Sequence, residues 1–191
     1  MANLPILAGK RILVTGAARG LGRDFAQAAA EAGASVVMAD ILADLVEKEA
    51  AALSAQRLDV SAVEIDLSQK ASVQQAVDQA VARLNGLDGL INCAALATGV
   101  GGVSLMEYDE DLWDRVMTVN VKGTWLVTQA CVPHLKKSGS GKIVNIASDT
   151  AMWGAQRLMA YVASKGAIIS MTRSMARELG EDNICVNTIS P

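Results

Sequence analysis

Short apolar runs alternate with amphipathic stretches along the whole chain. The runs carry few polar residues, which indicates strands that are buried on both faces of a sheet. Six strands are predicted, at Arg11–Thr15, Ser35–Asp40, Val63–Asp66, Leu87–Asn92, Lys142–Ile146 and Ile184–Ile189. The stretches between them predict helices at Phe25–Ala32, from the second strand to about Ala55, from an N-cap at Ser68 to Leu84, from about Asp109 to Leu135, and at Tyr161–Leu179.

Strands that alternate with helices in this way favour a parallel sheet with helices on both faces. We therefore predict an α/β protein with a Rossmann-type, doubly wound parallel sheet in three α/β/α layers. A length of 191 residues suits one substantial domain better than two. No repeat or linker-like segment divides the chain, so residues 1–191 are expected to form a single domain.

Composition excludes several classes of function. Hydrophobic residues make up 51% and charged residues 19%, which is typical of a globular protein. The net charge of −3 gives no electrostatic reason to bind nucleic acid or an anionic membrane. No apolar run approaches the ~20 residues of a membrane helix. Met1–Lys10 lacks the basic region of a secretory signal.

Cysteine and histidine usage bears on compartment and metals. The three cysteines have no Cys-x-x-Cys spacing, which suits free thiols in the reducing cytoplasm. With a single histidine and no Cys or His cluster, no metal site is expected.

A glycine-rich turn connects the first strand to the first helix. Its pattern is Gly16-x-x-x-Gly20-x-Gly22, and not the more general G-x-G-x-x-G. Such a turn can bring backbone N–H groups and a helix N-terminus against a pyrophosphate. A tight strand-to-helix turn without a ligand would have the same pattern.

Asp40 ends the second predicted strand, where a carboxylate can accept hydrogen bonds from both hydroxyls of an adenosine ribose. A helix N-cap is the alternative role. The charge of Asp40 would repel the 2′-phosphate of NADP, whereas Arg19 in the glycine turn could attract it. A carboxylate at the ribose is the stronger determinant, so NAD is predicted over NADP.

Tyr161 and Lys165 are four residues apart in a predicted helix, so their side chains share one face. The nearby ammonium should lower the pKa of the phenol toward the range of a general acid/base. Ser148 ends the fifth strand and could hold a substrate oxygen. Taken singly, the pair could be a surface lysine beside a half-buried tyrosine, and Ser148 could be only a cap.

Together, these residues resemble the short-chain dehydrogenase/reductase family, in its single-domain branch. The resemblance rests on Thr15-Gly-x-x-x-Gly-x-Gly22 and, in order, on Asp66, Asn92, Asn120, Ser148 and Tyr161-x-x-x-Lys165. It implies that NAD is bound by Gly16, Arg19, Gly20, Leu21, Gly22, Asp40, Asp66, Leu67, Asn92, Tyr161 and Lys165. Asp66 would meet the adenine edge beside the backbone of Leu67, although a cap-and-turn role is an alternative.

The resemblance also implies catalytic roles. Tyr161 would exchange a proton with the substrate oxygen, and Ser148 would hydrogen-bond that oxygen. Lys165 would hold the nicotinamide ribose and lower the pKa of Tyr161. Asn120 would anchor a water in a proton relay to Lys165, unless it only satisfies helix backbone. The family also associates through the helices that carry Asn120 and Tyr161, so a homodimer or homotetramer is expected.

The chain departs from the family pattern in two places. After the fourth strand the family commonly has Asn-Asn-Ala-Gly, whereas this chain has Asn92-Cys93-Ala94-Ala95, and a buried, unreactive Cys93 is expected. Beyond position 191 the family continues with a mobile substrate lid, a helix and a last strand. These segments are absent, so the chain is either a fragment or its remainder is disordered or lost.

The predicted function is that of an NAD-dependent oxidoreductase, which transfers a hydride between nicotinamide and a secondary alcohol or ketone. One alternative is an NADP-dependent 3-oxoacyl-type ketone reductase, and another is a catalytically silent nucleotide-binding protein. A sugar-nucleotide epimerase is less consistent with the glycine spacing. Met152 and Trp153 hint at an apolar substrate, but could equally belong to the core or to an interface.

Overall fold

The computed structural model describes residues 5–191, so part of the Met1–Lys10 segment discussed above lies outside it. The strands are β1 (Arg11–Thr15), β2 (Ser35–Asp40), β3 (Val60–Glu64), β4 (Gly89–Asn92), β5 (Lys142–Ile146) and β6 (Cys185–Ile189). The helices are α1 (Gly20–Glu31), α2 (Ala43–Ser54), α3 (Lys70–Leu84), α4 (Glu110–Val116), α5 (Thr124–Lys137), α6 (Thr150–Trp153) and α7 (Met159–Leu179). A π-helical stretch, Met117–Gly123, joins α4 to α5, and 3₁₀ turns lie at Leu105–Glu107 and Gly180–Asp182.

The strands form one parallel sheet in the order β3-β2-β1-β4-β5-β6. Side chains alternate between its faces, as the pleat requires. Leu13 and Val37 pack into the core that α3, α5 and α7 cover, whereas Val14 and Met38 pack into the core beneath α1 and α2. This arrangement confirms the predicted three-layer Rossmann-type fold.

Strand order reverses between β1 and β4, the neighbours at the centre of the sheet. The chain leaves β1 toward one side of the sheet and leaves β4 toward the other. A crevice opens at the carboxyl ends of strands at such a switch point. The glycine turn follows β1 and residues 93–96 follow β4, so both segments border this crevice.

Two predicted helix starts were wrong. The first helix begins at Gly20, not near Phe25, because glycine has a low helix propensity and hid the first turn. Ser68 does not cap the third helix, which begins at Lys70 without a side-chain cap. Instead, the Ser68 N–H donates to Asp66 Oδ1 at 2.8 Å, so a turn at Asp66 takes up these residues.

The long helix predicted from Asp109 to Leu135 exists, but it is not uniform. Asp109 caps its start by accepting from Leu112 N at 2.6 Å. Its middle widens into the π-helical stretch, which contains Asn120. Hydrophobic periodicity gave no sign of the widening, since one wide turn barely shifts the apolar face. Among the described residues, no helix combines the length and hydropathy needed to cross a membrane.

Candidate active site

A cleft of about 580 Å³ lies at the carboxyl ends of the central strands. This volume is within the range of about 300–1,000 Å³ that is usual for small-molecule and cofactor sites. Most of the predicted site residues line it, namely Gly16, Arg19, Gly20, Leu21, Gly22, Asp40, Asp66, Leu67, Ser148, Tyr161 and Lys165. Asn92 and Asn120 are not among the lining residues.

The glycine turn has the close backbone approach that a bound dinucleotide requires. Gly16 has φ +69°, and a Cβ there would lie 2.6 Å from the Cα of Ala94. Thr15 Oγ1 holds the same segment in place by accepting from Cys93 N at 3.2 Å and Ala94 N at 3.3 Å. Gly20 has φ +57°, and a Cβ there would meet nothing within 4 Å. The turn is thus closed toward the protein and open toward the cleft, which fits a pyrophosphate at the start of α1.

Asp40 is 9% exposed at the rim of the cleft. Its Oδ2 accepts from Ala18 N at 3.0 Å, and its Oδ1 accepts from Leu42 N at 3.1 Å. Helix α2 begins only at Ala43, so Asp40 is not its N-cap residue. A carboxylate has about four acceptor positions, so two remain for ribose hydroxyls.

Asp66 and Leu67 lie at the opposite edge, after β3. Asp66 Oδ1 accepts from Ser68 N, which is the turn role named as its alternative. Leu67 packs under the π-helical stretch, where a Cβ on Gly123 would lie 2.7 Å from Leu67 Cβ. Both residues line the cleft, together with Asp40 and residues 93–96 after β4.

Asn92 lies beneath the cleft and does not face it. It is 5% exposed, and its Nδ2 donates to Asn145 Oδ1 at 2.9 Å and to Thr128 Oγ1 at 3.1 Å. The Asn145 amide in turn donates to Thr172 Oγ1 at 2.9 Å. This network ties β4 to β5, α5 and α7. The side chain of Asn92 is thus engaged within the protein, and the role of Asn92 in cofactor binding stays a prediction.

Asn120 is 1% exposed, and both the oxygen and the nitrogen of its amide are hydrogen-bonded. Its Oδ1 accepts from Leu96 N at 2.7 Å, while its Nδ2 donates to Leu96 O at 3.2 Å and to Ser164 Oγ at 3.1 Å. Ser164 Oγ then donates to the backbone oxygen of Tyr161 at 2.7 Å. The side chain therefore satisfies backbone, the alternative named above, and joins the loop after β4 to the first turns of α7.

Tyr161 and Lys165 share one face of α7, as their spacing predicts. Lys165 Nζ lies 5.6 Å from the ring centroid of Tyr161. Only 4% of Lys165 is exposed, and its Nζ donates to Ile146 O at 2.6 Å. The lysine therefore spans from α7 to the end of β5 with two of its three donors unused by that bond.

The pKa values differ from the expectation for this pair. Burial lowers the pKa of Lys165 to about 8. Burial also raises the pKa of Tyr161, although the hydrogen bond with Ser148 acts in the opposite direction. The predicted lowering of the Tyr161 pKa by Lys165 was wrong for this state of the protein. The low-dielectric surroundings disfavour both charged forms, and the ammonium points to the Ile146 carbonyl.

Ser148 follows β5 and is 8% exposed. Its Oγ accepts from Thr150 N at 3.3 Å and from Thr150 Oγ1 at 2.9 Å. It therefore caps the turn that follows the strand, and it is near enough to Tyr161 to act against the rise in the pKa of the phenol. Sequence reasoning overlooked Thr150 and Ser164, because a hydroxyl beside a catalytic residue has no distinctive spacing.

The segment 93–95 replaces the usual family motif without closing the site. Cys93 is half-buried in the cleft, and burial raises the pKa of its thiol, which favours the unreactive protonated form. Met152 and Trp153 are 70% and 65% exposed, so neither belongs to the core. Neither lines the cleft.

Comparison with known proteins agrees with this geometry. A family model described as short chain dehydrogenase matches residues 10–191. The chain therefore belongs to the short-chain dehydrogenase/reductase family, and the prediction of an oxidoreductase of this family is confirmed.

Individual relatives match this chain over more than two thirds of their own length. An NAD-dependent glycerol dehydrogenase of Listeria innocua is 38% identical over 95% of this chain and 69% of its own length. A 3-oxoacyl-[acyl-carrier-protein] reductase of Thermotoga maritima is 35% identical over 97% of this chain and 74% of its own length. The crystal structure of a proposed short-chain alcohol dehydrogenase from Sinorhizobium meliloti superposes with a TM-score of 0.91 at 33% identity, covering 98% of this chain and 73% of that one.

Proposed function

We propose that the protein is an NAD-dependent oxidoreductase that interconverts a secondary alcohol and a ketone, with Tyr161 as the acid/base. The observation that carries this proposal is the convergence of Ser148, Tyr161 and Lys165 at one end of a cleft whose other end has Asp40 and the glycine turn. Residues 1–191 would then act as one cofactor-binding domain with its active site built in. A protein that only binds a nucleotide would not need Ser148, Tyr161 and Lys165 together at one end of its cleft.

The chemistry divides between cofactor and protein. A bound nicotinamide would supply the acceptor or donor of the hydride. In the oxidative direction, the phenolate of Tyr161 takes the proton of the substrate hydroxyl as the C–H hydride leaves. In the reductive direction, the phenol returns that proton to the carbonyl oxygen. Ser148 hydrogen-bonds the same oxygen in both directions and stabilises its developing charge.

Lys165 and Asn120 have supporting roles beside Ser148 and Tyr161. Lys165 has two donors beyond its bond to Ile146 O, and these would hold the ribose next to the nicotinamide. Asn120 fixes the Leu96 loop and the first turn of α7, and so holds Tyr161 in position. A water between Asn120 and Lys165 would have an acceptor in Asn120 O, which takes one hydrogen bond from Thr124 Oγ1 and has a second acceptor position.

NAD is the proposed cofactor because Asp40 lies where the adenosine ribose would bind. A 2′-phosphate would meet this carboxylate at close range in a partly buried site, which is unfavourable. The relative from Listeria is described as NAD-dependent. Arg19 lines the same cleft and favours the alternative, an NADP-dependent ketone reductase. The relative from Thermotoga is described as a 3-oxoacyl-[acyl-carrier-protein] reductase.

The test is a panel of ketones and secondary alcohols, followed by NADH and NADPH absorbance. We expect turnover with NADH, and Tyr161→Phe should lower kcat at least about a hundredfold, which is the lower range for general acid–base catalysis. Fluorescence titration should show NADH binding to the variant almost unchanged. Retained turnover in Tyr161→Phe would refute the acid/base assignment, and NADH binding without turnover in the unmodified protein would favour the silent nucleotide-binding alternative.

A further inference from the structure

The hydroxyl oxygen of Ser148 can accept two hydrogen bonds, and both come from the same residue, Thr150. Thr150 Oγ1 lies 2.9 Å from Ser148 Oγ, and Thr150 N lies 3.3 Å from the same atom. We propose that Thr150 is a positioning residue that makes the Ser148 hydroxyl an obligate donor toward the reacting oxygen. The catalytic meaning of this role rests on the proposed function.

A hydroxyl group has a limited capacity for hydrogen bonds. It has one proton and two lone pairs, and the proton rotates to suit its surroundings. When both lone pairs accept hydrogen bonds from Thr150, only the donor function of Ser148 remains. Since Ser148 is 8% exposed, bulk water cannot easily replace either bond.

The side chain of Thr150 is restricted in conformation. Thr150 is the first residue of α6, and a β-branched side chain has few χ1 rotamers. Its hydroxyl has no other partner among the described residues that would compete for its proton, and Ser148 is the acceptor within reach. The Ser148 proton is thereby left to point away from α6, toward the phenol oxygen of Tyr161 and the place of the substrate oxygen.

A hydroxyl that is oriented in advance matters for the reaction. A freely rotating serine would spend part of its time with its proton directed at a neighbour and its lone pair directed at the substrate oxygen. That orientation opposes the developing negative charge, whereas a fixed donor stabilises it without reorganisation. When no substrate is bound, the same proton stabilises the phenolate of Tyr161, in agreement with the direction in which Ser148 changes the pKa of Tyr161.

Other groups also act on Tyr161, and the test must leave them unchanged. They are Lys165 on α7, Cys93 after β4 and Asp149 before α6. None of them is altered by a substitution at position 150. A change in the titration of Tyr161 that depends on the hydroxyl at position 150 therefore reports on Ser148.

The chain offers a direct measurement, because it contains only two tyrosines. In a Tyr108→Phe background, ultraviolet tyrosinate absorbance follows Tyr161 alone, and circular dichroism limits the range to folded protein. Thr150→Val keeps the shape of the side chain and loses the hydroxyl. We expect it to raise the Tyr161 titration midpoint by about half a pH unit, which corresponds to part of the free energy of one hydrogen bond. Thr150→Ser, which keeps the hydroxyl, should titrate like the parent.

Kinetics supply the second measurement. Thr150→Val should lower kcat about threefold to tenfold and leave NADH affinity unchanged, and Thr150→Ser should restore kcat. A parent-like titration in Thr150→Val, or equal shifts in the Val and Ser variants, would overturn the inference. If the unmodified protein shows no turnover but the hydroxyl-dependent shift is present, the positioning role stands and the proposed function fails.

Discussion

Lys165 carries a charge in a place where the fold disfavours charge. Its side chain is almost entirely buried, and burial lowers its pKa from 10.5 to about 8. The only hydrogen bond of its ammonium within the described chain goes to the carbonyl of Ile146. A buried ammonium with one bond destabilises a fold, which indicates that the residue serves the ribose and not the stability of the protein.

The first prediction is that Lys165→Met stabilises the protein near pH 7. The lowered folded-state pKa corresponds to a cost of up to roughly 3 kcal/mol for the charged form. Loss of the bond to Ile146 O would offset about 1 kcal/mol of the gain. Urea denaturation should therefore show a higher free energy of unfolding for the variant, together with loss of turnover. A variant with a lower free energy of unfolding would contradict the conclusion that the buried charge of Lys165 destabilises the fold.

The same shift predicts a pH dependence. Between pH 8 and 10.5 the unfolded chain binds the Lys165 proton more tightly than the folded chain, so this residue makes stability rise with pH across that window. Buried cysteines and tyrosines with raised pKa values act in the opposite direction. The difference between the parent and Lys165→Met isolates the lysine, and it should shrink as pH rises through the window.

Asp40 is expected to determine the preference for NADH over NADPH. Asp40→Ala should shift the ratio of NADPH to NADH affinity toward NADPH by about tenfold, since it removes a charge that repels the 2′-phosphate. Fluorescence titration of both cofactors provides the measurement. Asp44→Ala, an exposed carboxylate in the first turn of α2, is the matched control and should leave the ratio unchanged. An unchanged ratio in Asp40→Ala would remove the basis for the NAD assignment.

Single residues were predictable where a motif fixes their surroundings. Gly16, Asp40, Ser148, Tyr161 and Lys165 all reach the cleft, because each follows a strand end or lies at a helical spacing that the sequence reveals. The hydrogen-bond partners of Asn92 and Asn120 could not be predicted, because side-chain direction depends on tertiary neighbours. The direction of the Tyr161 pKa shift was missed for the same reason, since burial has no local sequence signal.

At the scale of elements, the π-helical stretch decides where Asn120 points. An extra residue in one turn lets its side chain bond to the backbone of Leu96 on one side and to Ser164 on the other. Three segments are thus held by one amide: the loop after β4, the long helix and the start of α7. Widened turns of this kind are frequent near functional sites.

Asn120→Ala should destabilise the protein by roughly 3 kcal/mol, because three side-chain hydrogen bonds are lost, to Leu96 N, Leu96 O and Ser164 Oγ, at about 1 kcal/mol each. Hydrogen exchange should accelerate at the Leu96 amide before it does so elsewhere in the sheet. Asn187→Ala on β6, at an exposed position, is the matched control and should have little effect. Unchanged exchange at Leu96 would show that other contacts hold the loop.

The presence of each helix and strand was easier to predict than the residues at which it begins and ends. Apolar runs of the β1 and β2 kind reveal buried strands, since both faces of a parallel strand lie in the core. The start of α1 and the cap of α3 were missed, because glycine in a functional turn and an aspartate in a local turn both override general helix preferences. The π-helical stretch leaves no trace in hydrophobic periodicity.

At the scale of the whole molecule, one surface stands apart from the cleft. It is a groove of about 430 Å³ between the long helix and α7, lined by Asp114, Met117, Thr118, Val121, Lys122, Trp125 and Met171. Trp125 is 45% exposed at its edge. Large apolar side chains around a surface groove are typical of an interface between protein chains, and this is the face that the family resemblance names.

The last prediction is that the protein is a homodimer or homotetramer that associates through this groove. Trp125→Glu would introduce a charge at the interface without touching the cleft, so it should yield a monomer in light scattering at micromolar concentration. Trp153→Glu is the matched control, since this tryptophan is 65% exposed on α6. A dimer in both variants would assign the interface to another face, and a monomeric parent protein would refute the association itself. NADH binding by the Trp125→Glu monomer would indicate that each chain forms its cofactor cleft alone, and loss of NADH binding would indicate that association completes the cleft.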